Sequence, residues 1–341
     1  MMDHNKVLEP LKKGILVSKL SEQFRPDFHQ NHVKYLYDEW RGNRLLVQRK
    51  WGDTKTNPTS TTYSSSECLL PDDFIRLKVS GKTETIKIAT WNVNSIRIRL
   101  PLMLSWLAEQ KPDIVCLQET KVEDFQFPEQ ELREAGYHSV YHGQKSYNGV
   151  AILSRLPIQK VQYGFFSGYD AENKRLIIAI IEDINIINVY VPQGQTTDSP
   201  KFQYKLAFLE NLQKEIFSTF SPNDKVILLG DINIAPENRD VVSPEAMKGL
   251  VSFHPQEHTF LETLRNWGLT DVFRSFHSGD KLYSWWDFRT RGFEKNEGMR
   301  IDHIWVSKPI ENHCETCVID TNNRSQPKPS DHAPVICKFK A

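Results

Sequence analysis

Short runs of hydrophobic residues alternate with helical patterns over most of the chain after residue 85. The runs Ile86–Trp91, Asp113–Leu117 and Val150–Leu153 are short and largely apolar, which is typical of strands buried on both faces. Helical patterns lie between them, near Pro101–Gln110 and Glu129–Ala135. This alternation predicts an α/β fold.

The later part of the chain continues the pattern and adds a hairpin. Arg175–Glu182 and Ile184–Val191 are β-rich runs separated by one acidic residue, which predicts two antiparallel strands joined by a tight turn. A helix is predicted over Phe202–Phe217, and Val226–Leu229 reads as a buried strand. The segment Tyr283–Phe293 is aromatic and basic, which favours an ordered functional loop. Two further runs, Ile301–Val306 and Ala333–Phe339, are strand-like.

Residues 1–85 differ in composition from the rest of the chain. Apolar residues have helical spacing over Val7–Leu20, and an aromatic and charged patch occupies His32–Trp51. Thr54–Ser66 is almost wholly small and polar, a composition that cannot bury enough surface to hold a fixed fold. We therefore predict a folded domain over residues 86–341 and an N-terminal extension with a polar linker over residues 1–85, whose function the sequence does not indicate.

Composition and charge exclude few classes of protein function. The 341 residues include 43 basic and 43 acidic side chains, so any surface that binds nucleic acid must be local. Five cysteines are an odd number, which favours free thiols and an intracellular location; the lone pair Cys314 and Cys317 lacks the partners of a zinc site. No run approaches the roughly 18 apolar residues of a membrane span, and no signal peptide is evident, so we expect a soluble protein.

Groups that bind metals or move protons follow several of the predicted strands. Asp231 and Asn233 come directly after Val226–Leu229, and two residues apart on an extended backbone they would share one side. A carboxylate and an amide at one rim suit a hard cation or an activated water. The other such residues are Asn92, Asn94, Glu119, Tyr190, Asp302, Asp331 and His332, and in an open α/β sheet ligands gather outside one set of strand ends.

Each of these residues also has a purely structural interpretation. Glu119 could be a solvated strand end, and Tyr190 could cap the sheet with its hydroxyl in water. Asp302 is more informative, because an aspartate inside an apolar run is rarely buried without a partner. His332 is the candidate partner, since a buried carboxylate fixes an imidazole tautomer and raises the basicity of its other nitrogen.

Several sequence segments resemble the endonuclease/exonuclease/phosphatase superfamily, and in the same order. They are WNVNSIRIR (91–99), LQETK (117–121), YVPQG (190–194), LLGDIN (228–233) and PSDHAPV (329–335). Three further segments resemble its exonuclease III branch of abasic-site endonucleases: YHGQKSYNGVAILS (141–154), WGLTDVFR (267–274) and SWWDFRTRGFEKNEGMRIDHIWVS (284–307). The resemblance covers roughly residues 86–339.

This resemblance implies a four-layered α/β sandwich, in which two packed β-sheets are flanked by helices, and a Mg²⁺- or Mn²⁺-dependent hydrolase. Glu119 would be the principal metal ligand. Asp231 would orient or deprotonate the attacking water and Asn233 would help to hold it, while Tyr190 and His332, the latter oriented by Asp302, would contact the phosphate. The implied metal ligands are Asn92, Glu119, Asp231, Asn233, Asp331 and His332.

The same resemblance implies how a DNA substrate is chosen. Trp285, Met299 and Ile301 would line a small apolar pocket for a flipped sugar without a base, and flipping such a nucleotide costs little stacking energy. The alternative is that Trp285 and Trp286 are simply core residues. The remaining implied DNA contacts, which include a local basic surface, are Asn94, Arg97, Lys121, Lys145, Arg175, Gln193, Arg289 and Arg291.

The sequence thus predicts a monomeric DNA repair enzyme that acts on nucleoid DNA in the cytoplasm. It would be an abasic-site endonuclease and 3′-to-5′ exonuclease that also cleans 3′ ends and needs no membrane. Two alternatives stay open. One is a phosphatase or phosphodiesterase of a small or lipid phosphoester that uses the same metal site, and the other is a DNA-binding relative whose site has decayed.

Overall fold

The computed structural model describes residues 85–340, and the predictions for residues 1–84 lie outside the described residues. The strands are β1 Thr85–Asn92, β2 Ile114–Gln118, β3 His138–His142, β4 Val150–Ser154, β5 Ile158–Tyr163, β6 Leu176–Ile181, β7 Ile184–Tyr190, β8 Val226–Asp231, β9 Leu269–Asp271, β10 Asp302–Ser307, β11 Cys314–Ile319 and β12 Val335–Lys340. The helices are α1 Ile96–Gln110, α2 Glu129–Glu134, α3 Pro200–Thr219, α4 Pro244–Met247, α5 Pro255–Trp267, α6 Val272–Phe276, α7 Gly292–Lys295, α8 Lys308–Glu311 and α9 Thr321–Arg324.

The strands form two mixed sheets of six strands each. The first sheet has the order β11-β12-β1-β2-β4-β3 and the second the order β5-β6-β7-β8-β10-β9. A parallel pair stands at the centre of each sheet, β1 with β2 and β7 with β8, and the neighbouring pairs are antiparallel. Parallel strands are normally covered on both faces, which explains why these central strands are so apolar.

Alternating side chains of the central strands serve two different cores. On the inner faces, Ile88 and Ile114 of the first sheet belong to one cluster with Ile227 and Ile304 of the second. The outer face of the first sheet packs against α1, and the outer face of the second packs against α3 and α5. The predicted four-layered sandwich of helices, sheet, sheet and helices is therefore confirmed.

A buried polar contact joins the two sheets near one end. Asn188 of β7 donates from Nδ2 to the carbonyls of Leu117, at 3.0 Å, and Ala151, at 2.8 Å, in the first sheet. Its Oδ1 accepts a hydrogen bond of 2.7 Å from Gln118, which also donates to Thr90. Hydrogen bonds in such a dry interior are directional, so this contact fixes the register of one sheet against the other.

Most predicted elements are present, with shifted ends. The predicted hairpin is confirmed: β6 pairs antiparallel with β7 across Glu182 and Asp183, whose φ values of 49° and 62° are those of a tight type I′ turn. The strand predicted from Ile301 begins at Asp302, and the helix predicted from Pro101 begins at Ile96. Within residues 85–340, no helix is long and apolar enough to cross a lipid bilayer.

We predict that Gly230→Ala will strongly destabilise the protein. Gly230 lies in β8 with φ +142°, and a Cβ there would stand 1.9 Å from the carbonyl oxygen of Val189 in the paired strand. The strained backbone and the steric clash together should lower the free energy of unfolding by about 3 kcal/mol or more, as measured by urea denaturation.

Gly164→Ala provides the matched control for this variant. Gly164 also has a positive φ, +71°, but nothing lies within 4 Å of the place that its Cβ would occupy. Only the backbone penalty of about 1 to 2 kcal/mol should apply there. Equal losses for the two variants would contradict the assignment of a steric clash at Gly230.

Candidate active site

The polar residues that follow the predicted strands converge at one edge of the sandwich, and the strand directions explain why. Parallel β1 and β2 end at the same edge, and so do parallel β7 and β8. Strands β10 and β12 run antiparallel to their neighbours and therefore begin there. This edge carries Asn92, Glu119, Tyr190, Asp231, Asp302, Asp331 and His332.

Three of these residues form the centre of the site. A carboxylate oxygen of Glu119, one of Asp231 and a ring nitrogen of His332 all lie within 4.8 Å of one another, and Asp231 and His332 are buried. Asn92 joins the two carboxylates, because its Nδ2 donates to Glu119 at 2.8 Å and to Asp231 at 2.9 Å. The Oδ1 of Asn92 accepts from the backbone N–H of Asn94, so its amide faces the carboxylates as a donor.

The imidazole of His332 is held by a chain of buried groups. Its Nδ1 lies 2.8 Å from Oδ2 of Asp302, and its Nε2 lies 3.8 Å from Oδ2 of Asp231. Ser284 donates from Oγ to the same Asp302 oxygen at 2.7 Å. These contacts fix the ring orientation and aim Nε2 into the site.

The buried charges shift the protonation of this group. Burial acts to lower the pKa of His332, but the carboxylates of Asp302 and Asp231 outweigh it and raise the pKa to about 10. Burial raises the pKa of Asp231 to about 8; His332 opposes that shift and Asp302 adds to it. The carboxylates therefore favour the protonated, cationic form of His332, and burial favours the protonated form of Asp231.

The other ionisable residues of the site keep their ordinary charge states. Burial acts to raise the pKa of Glu119, but Lys121 and the hydrogen bond from Asn92 outweigh it and lower that pKa. Burial also acts to raise the pKa of Asp331, but His332 and the hydrogen bonds from Asn94 and Trp285 together outweigh it and lower that pKa. Burial, followed by the charge of Glu119, raises the pKa of Tyr190 well above its ordinary value, so its hydroxyl remains a donor.

The backbone of the site departs from extended geometry, and this corrects one expectation. Asn233 has φ 55°, so the chain turns after β8 and does not continue as a strand that alternates its side chains. Asn233 meets Asp231 through its backbone N–H, which donates to Oδ1 at 3.0 Å, while its Nδ2 donates to the carbonyl of Val191. Glu119 has φ 51° and Lys121 φ 52°, and such left-handed residues store strain at sites that need fixed geometry.

A partly exposed apolar cluster adjoins the charged centre. Trp285, Met299 and Ile301 belong to one cluster with Val241 and Phe253, and Trp285 and Met299 are only partly buried. The indole Nε1 of Trp285 donates to Asp331 at 3.0 Å, which joins the apolar cluster to the metal-ligand candidates. Trp286, by contrast, is a core residue, 2% exposed within a separate cluster.

The predicted DNA-contact residues take different positions. Lys121 pairs with Glu119 at 2.7 Å and donates to Asn94 at 2.6 Å, while Asn94 donates to Asp331. Arg175 lies over the ring of Tyr190, 4.6 Å from its centroid, and donates to the carbonyl of Tyr190 at 3.3 Å. The side chains that are exposed on the surface are Arg97, Lys145, Gln193, Arg289 and Arg291.

Two serines of the site were not predicted from the sequence. Ser284 orients Asp302, and its Oγ also accepts the backbone N–H groups of Ile301 and Asp302 at 3.0 Å each. Ser330 donates to the carbonyl of Asn92 at 2.7 Å and so links the last loop to β1. The sequence signal for Ser330 was its place inside the PSDHAPV segment. The signal for Ser284 was its place in the aromatic segment.

Comparison with known proteins identifies relatives over this whole region. The model of the Endonuclease/Exonuclease/phosphatase family matches residues 89–332. Exodeoxyribonuclease III of Haemophilus influenzae is 35% identical over 267 residues, which are 75% of this chain and all of that protein.

Solved structures give the same result. An AP endonuclease from Archaeoglobus fulgidus has a TM-score of 0.72 at 41% identity, over 75% of this chain and all of that one. The 3′ phosphatase NExo from Neisseria, in a variant form bound to a product DNA hairpin, has a TM-score of 0.72 at 38% identity and the same coverage.

We predict that Asp302→Asn will lower the pKa of His332. Burial acts to lower this pKa, and the Asp302 carboxylate is the first of the charges that raise it to about 10. Removal of that carboxylate should therefore return the pKa of His332 towards or below 6.5. A titration of the ring signals by NMR without divalent cations measures this shift. An unchanged His332 titration in the variant would contradict the electrostatic assignment.

The same pair makes stability depend on pH. Because the folded pKa of His332 is raised above its unfolded value of 6.5, its contribution is complete below pH 6.5 and is lost as the pH rises through about 10. Urea denaturation should show this loss in the wild type and a smaller one in Asp302→Asn. Asp287→Asn, which removes a carboxylate paired with the exposed Arg289, should behave as the wild type.

Proposed function

The chain belongs to the endonuclease/exonuclease/phosphatase family, and we propose that it is a metal-dependent DNA repair nuclease that cuts phosphodiesters 5′ to abasic sites. The observation that carries this proposal is the convergence of Glu119, Asp231 and His332 in a chain that aligns with the whole of an exodeoxyribonuclease III. Residues 86–341 are the catalytic domain in this proposal, and residues 1–85 are an extension of unknown function.

The donor set at the centre fits a hard divalent cation. Glu119, Asp231 and Asp331 offer carboxylate oxygens, Asn92 and Asn233 offer amide oxygens, and no thiolate is among them. His332 would offer Nε2 only in its neutral form, so as a cation it would contact the phosphate and not the metal. Mg²⁺ prefers oxygen ligands, and Mn²⁺ accepts the same set. Asn92 would serve as a ligand only after its amide rotates, since it now points its NH₂ towards the carboxylates. The bound cation would neutralise charge on the phosphate oxygens.

Side chains of the site would transfer the proton and stabilise the charge during phosphodiester hydrolysis. Asp231 lies beside Glu119 and His332, and in its ionised form it would take a proton from the attacking water, while the adjacent Asn233 helps to hold that water. The His332 cation, fixed by Asp302, faces the scissile phosphate and stabilises its developing negative charge. Tyr190 keeps its hydroxyl proton and donates it in a hydrogen bond to the phosphate or the leaving oxygen.

The apolar cluster supports a preference for abasic sites. Trp285 and Met299 are partly exposed and pack with the buried Ile301, and Trp285 bonds to Asp331, so their hydrophobic surface suits a sugar that has no base attached. The exposed Arg97, Lys145, Gln193 and Arg289 would bind flanking phosphates, together with Asn94, Lys121 and Arg175 around the site.

Under this proposal the substrate is double-stranded DNA with abasic sites or with 3′ ends to be trimmed or cleaned. The product is a 3′-hydroxyl, and the enzyme works as a monomer inside the cell on nucleoid DNA. The odd number of cysteines supports a reducing compartment.

The test is cleavage of two labelled duplexes, one with an abasic-site analogue and one fully paired. We predict incision 5′ to the analogue with Mg²⁺ and none with EDTA. Glu119→Ala and Asp231→Ala should each lower the rate about 100-fold or more, because each removes a group that acts on charge in the transition state.

Glu131→Ala is the control for these variants, since Glu131 is an exposed carboxylate on α2 and should leave the rate unchanged. Absence of cleavage of both duplexes by the metal-loaded wild type would contradict a DNA substrate. Small and lipid phosphoesters would then be tested with the same variants. Tight DNA binding without any hydrolysis would instead favour a decayed relative.

We also predict that Trp285→Ala will selectively impair the abasic-site reaction. The variant should lose about tenfold in kcat/KM for the abasic duplex and less for exonuclease action on the paired duplex, because only a flipped sugar would pack against the apolar cluster. The ratio of the two kcat/KM values is the measurement. Trp267→Ala is the control and should leave that ratio unchanged. Trp267 is also partly buried, but it stacks on Phe217 in the outer core of the second sheet and not beside the candidate active site.

A further inference from the structure

A lysine is buried completely in the second turn of α3. Lys205 has no exposed surface, although its ammonium group carries a charge. Its Nζ donates to the carbonyl oxygen of Asn233 at 2.7 Å and to that of Gln193 at 3.2 Å, and it forms an ion pair with Glu257. These three acceptors match the three N–H donors of an ammonium group, so the charge is fully satisfied.

Glu257 anchors this lysine from α5. The Glu257 side chain is also fully buried, and it accepts the backbone N–H of Ser252 at 3.1 Å and that of His254 at 3.0 Å. The carbonyl of Ser252 in turn accepts the backbone N–H of Ala235 at 2.7 Å. One buried ion pair therefore links the loop that enters α5 with the loop that follows β8.

The two carbonyls that Lys205 holds belong to the loops that carry the reactive groups. Asn233 follows β8, and its backbone N–H orients the carboxylate of Asp231 at 3.0 Å. Gln193 follows β7, three residues after Tyr190. The turn at Asn233 has a positive φ of 55°, and such a strained backbone persists only where surrounding contacts, here the one on its carbonyl, keep it in place.

The fit around Lys205 is tight on the side of the β7 loop. Gly194 has φ +100°, and a Cβ there would lie 3.2 Å from Cδ of Lys205. The lysine stem therefore packs against this loop, and its ammonium group bonds to the carbonyls of the two loops and to Glu257. Its charge also acts on Asp231, but its hydrogen bonds in the site are with the two loops.

We propose that Lys205 is a positioning residue, which clamps the loops after β7 and β8 and thereby sets the orientation of Asp231 for its role as a base. This inference rests on the proposed nuclease function. A carbonyl held by a buried cation resists displacement, because the unpaired cation and the freed carbonyl would both lose their hydrogen bonds in a dry interior. A misplacement of about 1 Å at a reacting group can cost about 100-fold in rate.

The alternative is that the ion pair serves folding alone, and a comparison of variants separates the two roles. Lys205→Met removes the cation and leaves Glu257 buried and uncompensated. The double variant Lys205→Met with Glu257→Gln removes both charges, and neutralising a buried ion pair in this way commonly recovers stability. Lys214→Met is the control, because Lys214 lies on the same helix but is exposed and pairs only with Glu210.

The experiment measures kcat and KM on the abasic-analogue duplex with Mg²⁺, together with the thermal unfolding temperature of each protein. For Lys205→Met we expect kcat to fall about 100-fold with KM changed less than about threefold, because binding surfaces are untouched while a reacting group moves. The double variant should regain much of the lost unfolding temperature and should keep the low kcat. Lys214→Met should match the wild type in both measurements.

Several results would overturn the inference. If the double variant regained kcat along with its unfolding temperature, or if folded Lys205→Met kept the wild-type kcat, Lys205 would be structural only. Failure of both variants to fold would overturn it as well, because Lys205 would then hold the fold and not the site. Inactivity of the wild type and of Lys214→Met would instead count against the proposed nuclease function.

Discussion

Mutual repulsion among buried carboxylates is the constraint on which this site depends. Glu119, Asp231 and Asp302 gather around one imidazole at the rim of the sandwich, and Asp331 lies beside them. Three neighbouring groups offset this negative charge: Asn92 bridges two carboxylates, Ser284 donates to a third, and the carboxylates raise the pKa of His332 and so favour its cation. A site with this excess of negative charge favours the binding of a divalent cation.

The sheets supply the rigid frame that such a crowded arrangement requires. The central parallel pairs direct the strand ends to one edge, and Asn188 fixes one sheet against the other directly below that edge. Arg300 is completely buried and pairs with Asp240 and Asp271. It lies two residues before Asp302, so these ion pairs hold the backbone that leads into β10. Side chains on rigid elements keep their geometry better than side chains on loops.

The fold and the centre of the site could be predicted because both leave local signals. Buried strands appear as short apolar runs, and Asp302 was conspicuous as a charged residue inside one of them. The turn at Asn233 was missed because its left-handed backbone is set by Asp231, Val191 and Lys205, which are contacts made in the folded state. Lys205 itself gave no signal, since a lysine in a polar helix is normally solvated, and only the tertiary structure reveals its burial.

The two halves of the site belong to different sheets. Glu119 follows β2 of the first sheet and Asp231 ends β8 of the second, so a cation held by both would join the sheets across their interface. A ligand that binds only the folded state raises its stability in proportion to the logarithm of the free ligand concentration. The cellular supply of divalent cations would then govern how long the folded protein survives, in addition to how fast it works.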